Sequence, residues 1–138
     1  MKITGLTYAS RGEEIITGYP TYLTMMKYAE HWGAKINWVP VGEDKGYDLD
    51  EIEKRISSKT ALVFLFNPNN PTGTITDSNE LVNFCREMSK KTTVFIDEAY
   101  LEISKGGLKN SMVGLVSKGR DVIITRTFSK IHGMACLL

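Results

Sequence analysis

The sequence predicts an α/β fold: a mostly parallel sheet with helices on both of its faces. Three observations carry this expectation. Short apolar runs of strand length alternate with segments whose apolar residues recur at helical spacing, from Glu13 through Thr127. The run "TALVFLF" (Thr60–Phe66) has almost no polar interruption, which suits a strand covered on both faces better than a half-exposed one. Strands that alternate with helices favour βαβ units with right-handed crossovers.

Taken in order, "EEIITGY" (Glu13–Tyr19) is the first strand. Pro20 and Thr21 then open a helix at about Tyr22 that runs to Trp32, with Gly33 in the position expected just past a helix end. "KINWVPV" (Lys35–Val41) is the second strand, and "DLDEIEKRI" (Asp48–Ile56) a short helix with Leu49, Ile52 and Ile56 on one face. The apolar third strand follows. "TDSNELVNFCREMSK" offers Thr76 as a cap, Asp77 and Glu80 in the first turn, and Leu81, Phe84, Cys85 and Met88 at helical spacing. "TTVFID" (Thr92–Asp97) is the fourth strand, "SMVGLVSKG" a short helix ending at Gly119, and "DVIITRT" (Asp121–Thr127) the fifth strand.

Composition excludes several function classes. The 17 basic and 16 acidic residues nearly cancel and form no basic run, so there is no electrostatic footprint for nucleic acid or an anionic membrane. Cys85 and Cys136 stand alone, with no CxxC and no histidine at ligand spacing, which predicts reduced thiols and no metal site. The N-terminal segment has no apolar signal-like core, and no apolar run approaches the roughly 18 residues a membrane span requires, so a cytoplasmic protein is expected. At 138 residues the chain is long enough for one domain or part of one.

Ligands of open α/β sheets sit outside the carboxyl ends of the strands, so the chemistry belongs in the segments just after them. Those segments are "YPTY", "NPNNPTGT", "DEAY" and "RTFSK". In the second, Asn70 precedes Pro71, which pushes it away from the helical region and holds its side chain in one direction. In the third, Asp97 ends an apolar strand, where an unpaired carboxylate is costly. Its partner is either an internal cation such as Arg126 or a lysine, or a ligand that carries a protonated ring nitrogen, and Tyr100 offers a phenol to the same ligand. In the fourth, Thr127 and Ser129 flank Lys130, a residue type that becomes a nucleophile towards an aldehyde when its ammonium is perturbed.

With the four segments in this order, the chain resembles the fold type I pyridoxal-phosphate enzymes and, within them, the class I/II aminotransferases, nearest to the histidinol-phosphate aminotransferase group. The motifs "NPNNPTGT", "IDEAY" and "TFSK" followed by Gly133 carry the resemblance, which extends from about Arg11 to the end. It implies pyridoxal 5'-phosphate as cofactor, held by Lys130 as a Schiff base. By the same resemblance, Asp97 matches the carboxylate at the pyridine nitrogen, Asn70 and Tyr100 the pair at the phenolic oxygen, Tyr22 the aromatic residue stacked on the ring, and Thr127 and Ser129 residues at the phosphate. The implied reaction moves an amino group from an amino acid or amino-alcohol phosphate to a 2-oxo acid, with Lys130 shuttling the proton. Relatives of this kind are homodimers. A decarboxylase of the threonine-phosphate type shares these motifs, and a truncated, non-catalytic α/β remnant is the other alternative.

The family pattern after the lysine runs K-x-x-G-x-A-G-x-R. Gly133 and Ala135 are in register, but Cys136 stands in the place of a glycine and Leu138 in the place of the phosphate-clamping arginine, whose forked donors leucine cannot supply. Residues 1–138 are therefore expected to form a partial cofactor-binding large domain, without the small domain or the N-terminal phosphate loop, and to be incomplete as an enzyme on their own.

Overall fold

The computed structural model describes residues 2–9 and 13–135. Five strands form one sheet: β1 (Glu14–Tyr19), β2 (Lys35–Pro40), β3 (Thr60–Phe66), β4 (Thr93–Asp97) and β5 (Val122–Thr125). Their spatial order is β2-β1-β3-β4-β5, and every neighbouring pair is parallel. The chain thus runs from β1 outward to β2, returns past β1 to β3, and continues outward on the other side. That reversal between β1 and β3 is the place where an α/β sheet opens a crevice at its carboxyl edge.

Alternation along the strands builds two cores. Ile16, Val63, Leu65, Val94 and Ile96 point to one face, where helices α3 (Leu49–Arg55), α4 (Ser78–Met88) and α5 (Val113–Val116) bring Leu49, Ile52, Leu81, Met88 and Leu115. Ile15, Leu62, Phe64, Phe66 and Phe95 point to the other, covered by Met25, Met26 and Ala29 of α2 (Thr24–His31), with Tyr8 of α1 (Lys2–Ala9) packed at its margin. Each such side chain contributes roughly 2 kcal/mol on burial, so a strand loaded on both sides holds the sheet from its middle. The sandwich of helix, sheet and helix is the one the apolar run of β3 implies.

Several boundaries differ from the sequence expectation, each for a local reason. Helix α2 starts at Thr24, not Tyr22, because Thr21 is drawn into a buried polar network and Leu23 at the helix entrance makes no side-chain cap. Helix α4 is capped by Asp77, whose Oδ1 accepts from the Asn79 and Glu80 amides, while the amide of Thr76 donates instead to Asn67 Oδ1. Strand β5 ends at Thr125, since Arg126 leaves the ladder to reach Glu98. Helix α1 was not expected at all: Ile3 and Leu6 are exposed, so its sequence shows no apolar stripe. It is held to the sheet through Tyr8, whose hydroxyl donates to Thr93 Oγ1 at 3.1 Å.

Cys85 is a buried free thiol on α4, and burial first, then the nearby Glu98 charge, pushes its pKa up to about 12, which keeps it protonated and inert. Cys136 and Leu138, where the sequence leaves the family pattern, lie outside the described residues. No helix among the described residues is long and apolar enough to cross a membrane.

Candidate active site

The residues singled out in the four loops converge. Tyr22, Asn70, Asp97, Tyr100, Thr127, Ser129 and Lys130 all line one cleft of about 400 Å³ at the carboxyl edge of the sheet, together with Phe66, Ala99, Thr125 and Arg126. They come from four strand ends: Tyr22 after β1, Asn70 after β3, Asp97 and Tyr100 at the end of β4, and Thr127, Ser129 and Lys130 after β5.

The aromatic part of the cleft is built on Phe66, the last residue of β3. Tyr22 packs on one side of it at 5.8 Å between ring centroids, and Tyr100 meets it edge-on at 5.8 Å. Lys130 lies across the opening with its Nζ 5.1 Å from the centre of the Tyr100 ring, a distance at which the ring face attracts a cation. The loop before it turns tightly: Thr127 Oγ1 donates to Ser129 Oγ at 2.7 Å and accepts from the Ser129 amide at 3.1 Å. Both hydroxyls are therefore set side by side on the cleft wall.

Asp97 and Arg126 do not pair. Arg126 Nε instead donates to Glu98 Oε2 at 2.9 Å, and among the described residues no lysine or arginine forms an ion pair with Asp97. Asp97 is 2% exposed and accepts from the Ala99 amide at 3.0 Å. Burial pushes its pKa up to about 6, partly offset by that hydrogen bond and by the Thr125 side chain. Of the two alternatives for the Asp97 partner, the internal salt bridge to Arg126 is absent, and a buried carboxylate is left facing an open cleft. A cationic ligand atom placed there would bring its pKa back down.

Two functional neighbours escaped the sequence reading. Asn69, beside Asn70, is the buried member of the pair: its Nδ2 donates to Pro20 O at 3.0 Å and to Thr72 Oγ1 at 2.9 Å, while Oδ1 accepts from Thr21 Oγ1 at 2.9 Å and from Tyr47 Oη at 2.8 Å. Tyr47, on the connection between β2 and α3, also accepts from the Phe66 amide at 3.1 Å. Burial pushes its phenol pKa up to about 12, so it stays neutral and can serve as both donor and acceptor. Together they tie the loop of Tyr22 to the loop of Asn70. A lone tyrosine in "GEDKGYDL" carries no pattern from which this could be read; the only signal was a second asparagine beside the chosen one.

Comparisons with known proteins agree with this fold. The sequence profile of the aminotransferase class I and II family matches residues 3–137, which extends the likeness upstream of Arg11 to include α1. The chain is 38% identical over 130 residues to a histidinol-phosphate aminotransferase of Anaeromyxobacter sp. (strain Fw109-5), covering 94% of this chain and 35% of that protein. It is 36% identical over 126 residues to an aromatic amino acid aminotransferase of Mycolicibacterium vanbaalenii, covering 91% of this chain and 36% of the relative. Among solved structures, a histidinol-phosphate aminotransferase from Sinorhizobium meliloti in complex with pyridoxal-5'-phosphate superposes with a TM-score of 0.81 at 25% identity, over 97% of this chain and 37% of that one. The chain thus spans a little over a third of the length of the relatives it matches. With a family profile matched along nearly its whole length and the parallel sheet that goes with it, the chain belongs to the class I and II aminotransferases.

Proposed function

We propose that this chain is a partial large domain of a fold type I enzyme, and that the cleft binds pyridoxal 5'-phosphate for transfer of an amino group to a 2-oxo acid. The observation that carries the proposal is the buried, unpaired Asp97 in the same cleft as an accessible lysine amine, Lys130. The residues present fit the cofactor chemically. Asp97 is an anion awaiting a protonated ring nitrogen, Asn70 and Tyr100 offer an amide and a phenol to an oxyanion, Thr127 and Ser129 offer hydroxyls to a phosphate, and Tyr22 and Phe66 offer aromatic surface.

When bound, pyridoxal phosphate supplies an electron sink for the carbanion formed at the substrate carbon. The protein supplies the rest. Lys130 Nζ would hold the group covalently and, when free, would carry the proton at the substrate carbon, a task usually worth about 10²- to 10⁴-fold in rate. Asp97 would hold a protonated ring nitrogen by its charge, and its burial limits competition from water. Tyr100, edge-on to Phe66, orients the amine across its own ring face.

An amino acid or amino-alcohol phosphate of the histidinol-phosphate type is the amino donor in this reading, supported by the 38% identical relative. A homodimer in the cytoplasm completes the proposal. The apolar side chains of Phe128, after β5, and Ile103, after β4, are exposed at 62% and 60% and support burial against another surface. The test is direct: the purified chain is mixed with pyridoxal phosphate, reduced with borohydride, and the adduct mapped by mass spectrometry. The expected result is a visible absorbance band that borohydride removes and a single modified peptide carrying Lys130. Labelling that is scattered over surface lysines and persists in Lys130→Ala would overturn the assignment and favour a non-catalytic remnant.

A further inference from the structure

We propose that Glu98 and Arg126 act as a positioning pair, fixing the segment that carries Lys130 against the segment that carries Asp97. The identity of the ligand rests on the function proposed above; the coupling itself rests on geometry.

The backbone ladder between β4 and β5 runs as far as the Glu98 amide, which donates to Thr125 O at 2.8 Å. Beyond that point the hold passes to side chains. Glu98 is 2% exposed, and its carboxylate accepts from Arg126 Nε at 2.9 Å, from the Met112 amide at 2.7 Å and from Ser111 Oγ at 2.8 Å. Arg126 Nη2 donates in turn to Ser111 Oγ at 2.6 Å. One carboxylate thus joins three segments: the end of β4, the entrance of α5 and the end of β5.

The arc from Arg126 to Lys130 is pinned at both of its ends to the same short stretch. Arg126 grips Glu98, the Thr127–Ser129 turn folds the chain back, and the Lys130 ammonium returns over Tyr100, two residues past Glu98. Asp97 lies immediately before Glu98, so the distance between the carboxylate and the amine is set through this closed path. The forked guanidinium is what allows one side chain to reach Glu98 and Ser111 together; a lysine has a single nitrogen. Sub-ångström placement matters at such a site, because a shift of about 1 Å can cost about 100-fold in rate.

The full chain carrying Arg126→Met, Arg126→Lys or Glu98→Gln tests this in two ways. Without cofactor, the rate at which trinitrobenzenesulfonate labels Lys130 is measured by mass spectrometry against Lys54, which lies on α3. Arg126→Met is expected to raise the Lys130 rate by about threefold or more with Lys54 unchanged, and Arg126→Lys to fall between it and the unsubstituted chain. With pyridoxal phosphate added, the visible circular dichroism per bound chromophore is expected to fall by about half in Arg126→Met.

A folded Arg126→Met chain with unchanged Lys130 labelling and unchanged visible dichroism would reduce the pair to a packing contact and overturn the proposal. Should Arg126→Met fail to fold, the milder Arg126→Lys and Glu98→Gln variants decide it by the same two readings. If the unsubstituted chain takes up no pyridoxal phosphate, the functional reading falls, and the labelling rates still decide the coupling.

Discussion

Asp97 and Glu98 are consecutive, equally buried carboxylates with different surroundings: Glu98 is held by Arg126, Ser111 and the Met112 amide, whereas Asp97 has the Ala99 amide, the Thr125 side chain and an open cleft. Neighbouring acids that differ in this way are set up for different tasks: Glu98 is secured within the fold, and Asp97 is free for the ligand proposed above.

The Asp97 carboxyl, pushed up to about 6 by burial, makes the cofactor-free chain less stable as pH rises. In the unfolded chain it ionises near 4, so between about pH 4 and pH 6 the native state holds the extra proton and stability falls with increasing pH. Asp97→Asn is expected to flatten that slope and to raise stability at pH 7 by up to about 3 kcal/mol. Urea unfolding of both proteins at pH 4, 5, 6 and 7 reads the effect; parallel curves across the range would show that Asp97 ionises normally.

Tyr47→Phe removes a hydroxyl that serves the Phe66 amide as acceptor and Asn69 as donor, both in the interior. Leaving the Phe66 amide without its acceptor, and Asn69 Oδ1 with Thr21 alone, is expected to cost about 1–3 kcal/mol. Amide exchange should also quicken in the segments 20–22 and 69–74 before it does elsewhere. Equal exchange throughout would mean that the two loops are held independently of Tyr47.

At Gly18 in β1, an added Cβ would run into Cδ1 and Cε1 of the Tyr47 ring. Gly18→Ala is expected to displace that ring at a cost of about 1–3 kcal/mol, typical of overpacking. The same substitution in a Tyr47→Ala background should cost much less, since the obstructing ring is gone. Additive losses in the denaturation midpoints would place the strain elsewhere.

Much of this was legible in the sequence because it rests on local or repetitive signals. Six apolar residues in a row at β3, Ala61 to Phe66, announced a strand buried on both faces, and Leu81, Phe84, Cys85 and Met88 announced the inner face of α4. The cleft residues were legible from their positions just after strands, and all seven meet in one place. What could not be read depends on contacts between distant segments. Glu98 and Asp97 look alike in "DEAY", and only the fold shows which of them Arg126 reaches across 28 positions. Tyr47 lies 22 residues from Asn69 in a loop without periodicity, and α1 exposes the apolar residues that would have betrayed it.

Because the four strand ends each contribute a different wall, no single stretch of sequence owns the cleft. A replacement at Tyr22 alters the aromatic packing on Phe66 and leaves in place the Glu98–Arg126 contact, which is made between the ends of β4 and β5. Such a division lets the wall of the cleft be varied one loop at a time on an unchanged framework.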